Sequence, residues 1–192
     1  MSIDRRNFIK IIGLAGASLA VGDSFGAISE KEGEVEFRGM LYDSTQCLGC
    51  LACEKACAES HKLPEPKDEP KAGIIRKTSE SQRSAINIFN TSKGEVFNKT
   101  QCMHCNEPAC AAACLTQAMF KTKEGPIIWR GDKCMGCRYC MVSCPFDVPK
   151  FEYHSSNPII QKCDMCYDRI ITGKIPACAE ACPGAVIFGS RR

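Results

Sequence analysis

Cysteine dominates the reactive residues of this chain: sixteen occur in 192 positions, and all of them fall into four groups of four. The first group is Cys47, Cys50, Cys53 and Cys57; the third is Cys134, Cys137, Cys140 and Cys144, followed by Pro145. Both follow the pattern C-x2-C-x2-C-x3-C. The second group, Cys102, Cys105, Cys110 and Cys114, has four residues between its second and third cysteines. The fourth, Cys163, Cys166, Cys178 and Cys182, has eleven there and is followed by Pro183. Three thiolates set this closely let one tight loop reach three irons of a single cube, and the thiolate beyond the x3 step reaches a different cube. The sixteen cysteines are therefore expected to be the iron ligands of four 4Fe–4S clusters.

Other thiol chemistry fits less well. Disulfides would also use an even number of cysteines, but such a framework has no reason to repeat C-x2-C and C-x3-C in every group. Zinc ribbons use paired C-x2-C and leave the C-x3-C steps unexplained. A radical enzyme usually leaves one iron of a cube without a cysteine, whereas here every site is filled. The sequence carries no glycine-rich phosphate loop, no dinucleotide fingerprint and no nucleophile beside a base. The expected chemistry is one-electron transfer without a catalytic centre.

The elements that must position these thiolates are small. Gly49 and Gly136 precede the second cysteine of their groups, where a positive φ brings backbone N–H groups towards cluster sulfurs. Each x3 step is expected to open a helical turn. Residues 58–101 contain the run Pro64-Glu65-Pro66-Lys67-Asp68-Glu69-Pro70 and read as a solvated linker or a docking insert. Ala85-Ile86-Asn87-Ile88-Phe89 alternates as a short strand, and Gly125-Pro126-Ile127-Ile128-Trp129 reads as one arm of a hairpin. Trp129 is expected to pack. His61, His104 and His154 are not needed as ligands and are expected to be ordinary packed or exposed residues; the alternative for His104, inside a ligand loop, is a donor to a sulfur.

Aromatic residues make up 7% of the chain, beside 15 glycines and 10 prolines, so metal rather than a broad apolar core must hold the fold. The net charge of +3 is not gathered into a nucleic-acid stripe, which excludes that partner class. Residues 1–26 read as a targeting segment: Arg5-Arg6-Asn7-Phe8-Ile9-Lys10 resembles the twin-arginine export signal, with Asp4 where Ser or Thr is commoner. The apolar run Ile11 to Val21 is about 16 Å long as a helix, too short to cross a bilayer. Ser24-Phe25-Gly26 and Ala20-Val21-Gly22 are the candidate cleavage sites, and retention as an anchor stays open.

From Gly39 onward the sequence resembles the four-cluster ferredoxin-like electron-transfer subunits of bacterial respiratory complexes. These serve nickel–iron hydrogenases, molybdopterin oxidoreductases and nitrite reduction. Gly39-Met40-Leu41-Tyr42-Asp43-Ser44-Thr45, Gln101-Cys102-Met103-His104-Cys105, Gly136-Cys137-Arg138-Tyr139-Cys140-Met141-Val142 and Gly184-Ala185-Val186-Ile187-Phe188-Gly189 look like the hydrogenase-2 type. That type continues into a longer tail with a hydrophobic anchor, whereas this sequence stops at Arg192, so membrane contact is expected through a partner.

The resemblance implies an α+β fold, small and loop-rich, of two nested bacterial-type ferredoxin domains. The outer would be 37–57 plus 158–192, the inner 97–157, and the insert 58–96. It also implies nested ligation: Cys47, Cys50 and Cys53 with Cys182; Cys163, Cys166 and Cys178 with Cys57; Cys102, Cys105 and Cys110 with Cys144; Cys134, Cys137 and Cys140 with Cys114. Spacing alone leaves tandem pairing open, since the gaps Cys114–Cys134 and Cys144–Cys163 are 19 and 18 residues. The implied role is a periplasmic, non-catalytic relay in anaerobic respiration. It would stand between a catalytic redox subunit and an integral membrane quinone-interacting subunit, with no transmembrane helix of its own after signal removal. The catalytic subunit is expected to be nickel–iron hydrogenase-like; the alternatives are the iron–sulfur subunit of a molybdopterin oxidoreductase or nitrite reductase system, and a free-standing exported polyferredoxin.

Overall fold

Each C-x3-C step is spanned by a short helix whose second residue is the third cysteine of the group. In the computed structural model the described residues are 37–190. The chain divides into units Met1–Glu34 and Val35–Arg192, and all described residues belong to the second; the export segment expected at 1–26 lies outside them. In order come β1 (Arg38–Tyr42), α1 (Ala52–Ser60), β2 (Ala85–Thr91), β3 (Gly94–Thr100), α2 (Ala109–Ala112), β4 (Met119–Lys121) and β5 (Ile127–Trp129). A 3-10 turn (Gly131–Lys133) follows, then α3 (Tyr139–Val142), β6 (Lys150–Phe151), β7 (Ile160–Gln161), α4 (Tyr167–Ile170), α5 (Ala177–Glu180) and β8 (Val186–Ser190).

The helices have local causes. α1, α2 and α5 are alanine-rich, and Pro108 and Pro176 stand where a missing N–H costs nothing, just before α2 and α5. Leu51 and Arg138, before α1 and α3, turn the chain through left-handed conformations, with φ of 59° and 63°. One helical turn carries the fourth sulfur of each group about 6 Å along the axis from the third.

The strands form four two-stranded antiparallel sheets. β1 pairs with β8, Met40 opposite Phe188, and so ties the described ends together, while α1 packs on α5. β4 and β5 form the small hairpin expected around Gly125–Trp129. Apolar burial is split in two. Cys53, Ile86, Cys178 and Val186 form one cluster; Cys110, Met119, Ile127, Phe151 and Ile160 form the other, with Trp129 packed against it.

The segment between the first two cysteine groups is more ordered than a solvated linker. α1 runs on to Ser60, and the strand expected at 85–89 extends to Thr91 and pairs with β3, a hairpin that crosses the boundary expected at 96. The cause is a buried charge. Glu54, only 2% exposed on α1, accepts from both terminal nitrogens of Arg76, from Gln82 Nε2 and from the Ile86 N–H. Asn87 extends this network to Arg76 N–H and O, and to Thr100. A buried carboxylate needs such partners, and they fasten the hairpin to the first cysteine helix.

Candidate metal centres

All sixteen cysteines lie within the described residues, and all are free thiols. The residue before the second cysteine is left-handed in every group: Gly49 (φ 68°), His104 (46°), Gly136 (73°) and Met165 (60°). The glycines behave as their positions suggest. His104 and Met165 show the same turn without glycine, and only alignment of the four C-x2-C units would have exposed it. The turn aims backbone donors at sulfur: Gly49 N–H lies 3.5 Å from Cys47 Sγ and Met165 N–H 3.4 Å from Cys163 Sγ. The fourth cysteines of the second and fourth groups receive theirs from strand starts, Met119 N–H to Cys114 Sγ and Val186 N–H to Cys182 Sγ, both at 3.3 Å.

Thiols from different groups meet. Cys47, Cys50, Cys53 and Cys182 line one cavity with Tyr42, Ile86 and Val186. Burial pushes the Cys53 thiol up to about 12 against the pull of Lys99, with Cys178, Glu54 and Cys182 adding to the rise. Cys57 is pushed up to about 11 by burial, again against Lys99, and by Cys178 and Cys166. Burial raises Cys110 against the pull of Lys162, and Cys102 and Cys144 raise it further. Cys140 reaches about 11 through burial and the neighbouring Cys110, Cys114, Cys134 and Cys137. Burial raises Cys163 well above the ordinary thiol range, and the neighbouring Cys102 and Cys57 add to the rise. Cys114 moves the other way: hydrogen bonds from Met119 and Thr116 overcome its burial and lower it.

Crowded, unbridged thiols repel one another as anions, and bound metal cations offset that repulsion and so hold the sulfurs deprotonated. Sulfurs of different groups brought together beside backbone N–H donors fit 4Fe–4S clusters.

Two of the histidines are packed or exposed, as expected, and one meets sulfur. His104 is buried, and its Nδ1 accepts from Ile127 N–H at 3.0 Å rather than donating to a sulfur. Burial and nearby Lys162 push its pKa down to about 3. The histidine that meets sulfur is His61, whose Nε2 lies 3.5 Å from Cys166 Sγ. With Asp164 and Cys166 it makes a tight trio, but Arg83 already pairs with Asp164 at 2.8 Å. His154 is exposed beside Glu152 and Glu80.

These centres define an iron–sulfur protein. The 4Fe-4S dicluster domain family matches residues 94–191, which include the second, third and fourth cysteine groups, and the chain belongs to that family. A protein of Nitratidesulfovibrio vulgaris is 42% identical over 99% of this chain. The hydrogenase-2 operon protein HybA of Escherichia coli is 37% identical over 98%. The B component of the anaerobic dimethyl sulfoxide reductase of Escherichia coli is 35% identical over 79% of this chain and 72% of its own length. The chain spans 55% and 63% of the length of the first two relatives. No helix of the described residues is long and apolar enough to cross a membrane.

Proposed function

We propose that this chain is a non-catalytic electron-transfer subunit that passes electrons through four 4Fe–4S clusters between a periplasmic catalytic subunit and a membrane quinone-linked subunit. The observation that carries this reading is the set of sixteen free cysteines in four groups, with thiols of different groups brought side by side. The clusters supply one-electron chemistry; the chain supplies thiolate ligands, N–H donors to their sulfurs and apolar cover.

Nested ligation belongs to the same proposal. The cavity shared by Cys47, Cys50, Cys53 and Cys182 supports it. So does the company of Cys57 with Cys166 and Cys178, of Cys144 with Cys110, and of Cys114 with Cys140. The nested domain boundaries are supported by the two apolar clusters, one joining the first and fourth groups and one spanning residues 110–160. Cys57→Ala and Cys163→Ala should alter the same EPR signal; different signals would favour tandem pairing.

For the catalytic partner, the hydrogenase-2 operon relative supports a nickel–iron hydrogenase, and the dimethyl sulfoxide reductase relative supports a molybdopterin enzyme as second reading. Affinity purification from solubilised membranes with metal analysis separates them: nickel favours the first, molybdenum or tungsten the second. Recovery of the chain alone, shuttling electrons between unrelated enzymes, would refute the relay. Export by the twin-arginine route rests on Arg5 and Arg6. Replacing both with Lys should hold the protein in the cytoplasm, unless a partner carries it out.

A further inference from the structure

Two lysines are buried without a carboxylate beside them. Lys162 is 3% exposed and Lys99 is 7% exposed. Lys162 Nζ donates to the carbonyls of Ile127 and Cys163 and stands 3.9 Å from Cys102 Sγ. Lys99 Nζ donates to Gln101 Oε1. Among the described residues neither is ion-paired with Asp or Glu, although the buried guanidinium of Arg76 is paired with Glu54 and the half-buried one of Arg83 with Asp164.

An interior ammonium is expensive unless a negative charge answers it, and neutral carbonyl or amide oxygens answer only part. The negative charge at hand is sulfur. Lys162 touches Cys102 of the second group and the backbone of Cys163 in the fourth. Burial alone would lower the Lys99 pKa, yet the thiols of Cys178, Cys53, Cys163 and Cys57, from the fourth and first groups, raise it overall. Cys102 and Cys163 belong to different clusters under either nested or tandem pairing, and so do Cys53 and Cys178.

We infer that Lys162 is a buried cation set between two iron–sulfur clusters, answering the negative charge of both. This rests on the cluster reading of the cysteines. Reduction adds negative charge to a cluster, so a fixed cation beside it favours the reduced form. Because one ammonium serves two clusters, both must respond together.

The test compares Lys162→Met, Lys162→Gln and Lys162→Arg in the full iron-loaded chain, by iron and sulfide content and then by EPR-monitored redox titration. Loss of the charge should lower the reduced-to-oxidised ratio of two clusters at least tenfold at fixed potential, about 59 mV each. Lys162→Arg should stay near the unsubstituted protein. Full iron with unchanged potentials in the Met and Gln variants overturns the inference, and a shift confined to one cluster overturns the bridging placement. If the neutral variants lose iron, Lys162→Arg decides: retained iron supports the need for charge, and lost iron shows that shape alone matters and overturns it. An unsubstituted chain that binds no iron would instead sink the cluster reading itself.

Discussion

The part carrying the first and fourth cysteine groups and the part carrying the second and third use the same ligand pattern in different surroundings. In the former, Cys53, Cys57, Cys163, Cys166 and Cys178 are buried; in the latter only Cys110 is. The former is braced by the β2–β3 hairpin, by Glu54 with Arg76 and by Arg83 with Asp164. The latter rests on strands of two and three residues. The same spacing thus recurs in both parts, while the segments around it determine how far water is kept from the sulfurs. The same motif can therefore hold clusters of different potential, since burial and nearby charge tune them.

The largest expected effect is at the brace. Glu54→Ala leaves Arg76 buried and unpaired and strips the Ile86 N–H and Gln82 of an acceptor. Breaking such a pair costs about 3–5 kcal/mol. Denaturant unfolding of the iron-loaded chain, followed by cluster absorbance, measures it. Lys77→Ala breaks only the exposed pair with Asp147 at 3.2 Å and should cost under about 1 kcal/mol. Equal losses would mean that the hairpin does not brace the first group.

A smaller effect sharpens the comparison at one motif position. Gly49 and Gly136 share a positive φ, so alanine at either carries strain of about 1–2 kcal/mol. An added Cβ at Gly49 would stand 2.3 Å from the Phe97 ring, whereas at Gly136 its nearest neighbour is Phe151 at 3.9 Å. Overpacking should make Gly49→Ala worse by about a further 1–3 kcal/mol. Phe97→Leu, combined with Gly49→Ala, should recover part of that difference in the same unfolding measurement. Equal costs at the two glycines would show that the hairpin yields as freely as open surface.

What could be read from the sequence follows the reach of each cause. The cysteine groups, the helical turn in each x3 step, the two glycine turns and the β5 arm are local, and residue type with spacing reveals them. The pairing of β1 with β8, residue 38 against residue 190, has no local signature. Glu54, Arg76, Lys99 and Lys162 read as solvent-facing charges because those residue types usually are. Their burial follows from partners brought from elsewhere in the fold: Arg76 with the hairpin for Glu54, and sulfur for the lysines. The left-handed turns at His104 and Met165 are hidden because glycine is the residue type that marks such a turn, and neither position carries it.

The smallest expected effect separates burial from hydrogen bonding in the fourth group. Arg83 donates to His61 Nδ1 at 3.0 Å, and a guanidinium has no acceptor to offer, so the proton of a neutral His61 ring is on Nε2. Burial is the first cause lowering the His61 pKa; Asp164 opposes it and Arg83 reinforces it, which keeps the ring neutral. That single N–H faces Cys166 Sγ and Asp164 Oδ1, both at 3.5 Å. A neutral hydrogen bond is worth about 0.5–1.5 kcal/mol, so His61→Leu should lower the reduced-to-oxidised ratio of one cluster by about threefold to tenfold at full iron content. His61→Gln, which keeps a donor, should recover part of it. Because the donor is neutral and meets a single sulfur, one EPR signal should move, whereas Lys162→Met should move two. An unshifted potential in His61→Leu would show that the His61 N–H does not tune this cluster, although burial still separates Cys166 from the exposed Cys137 at the same position of the third group.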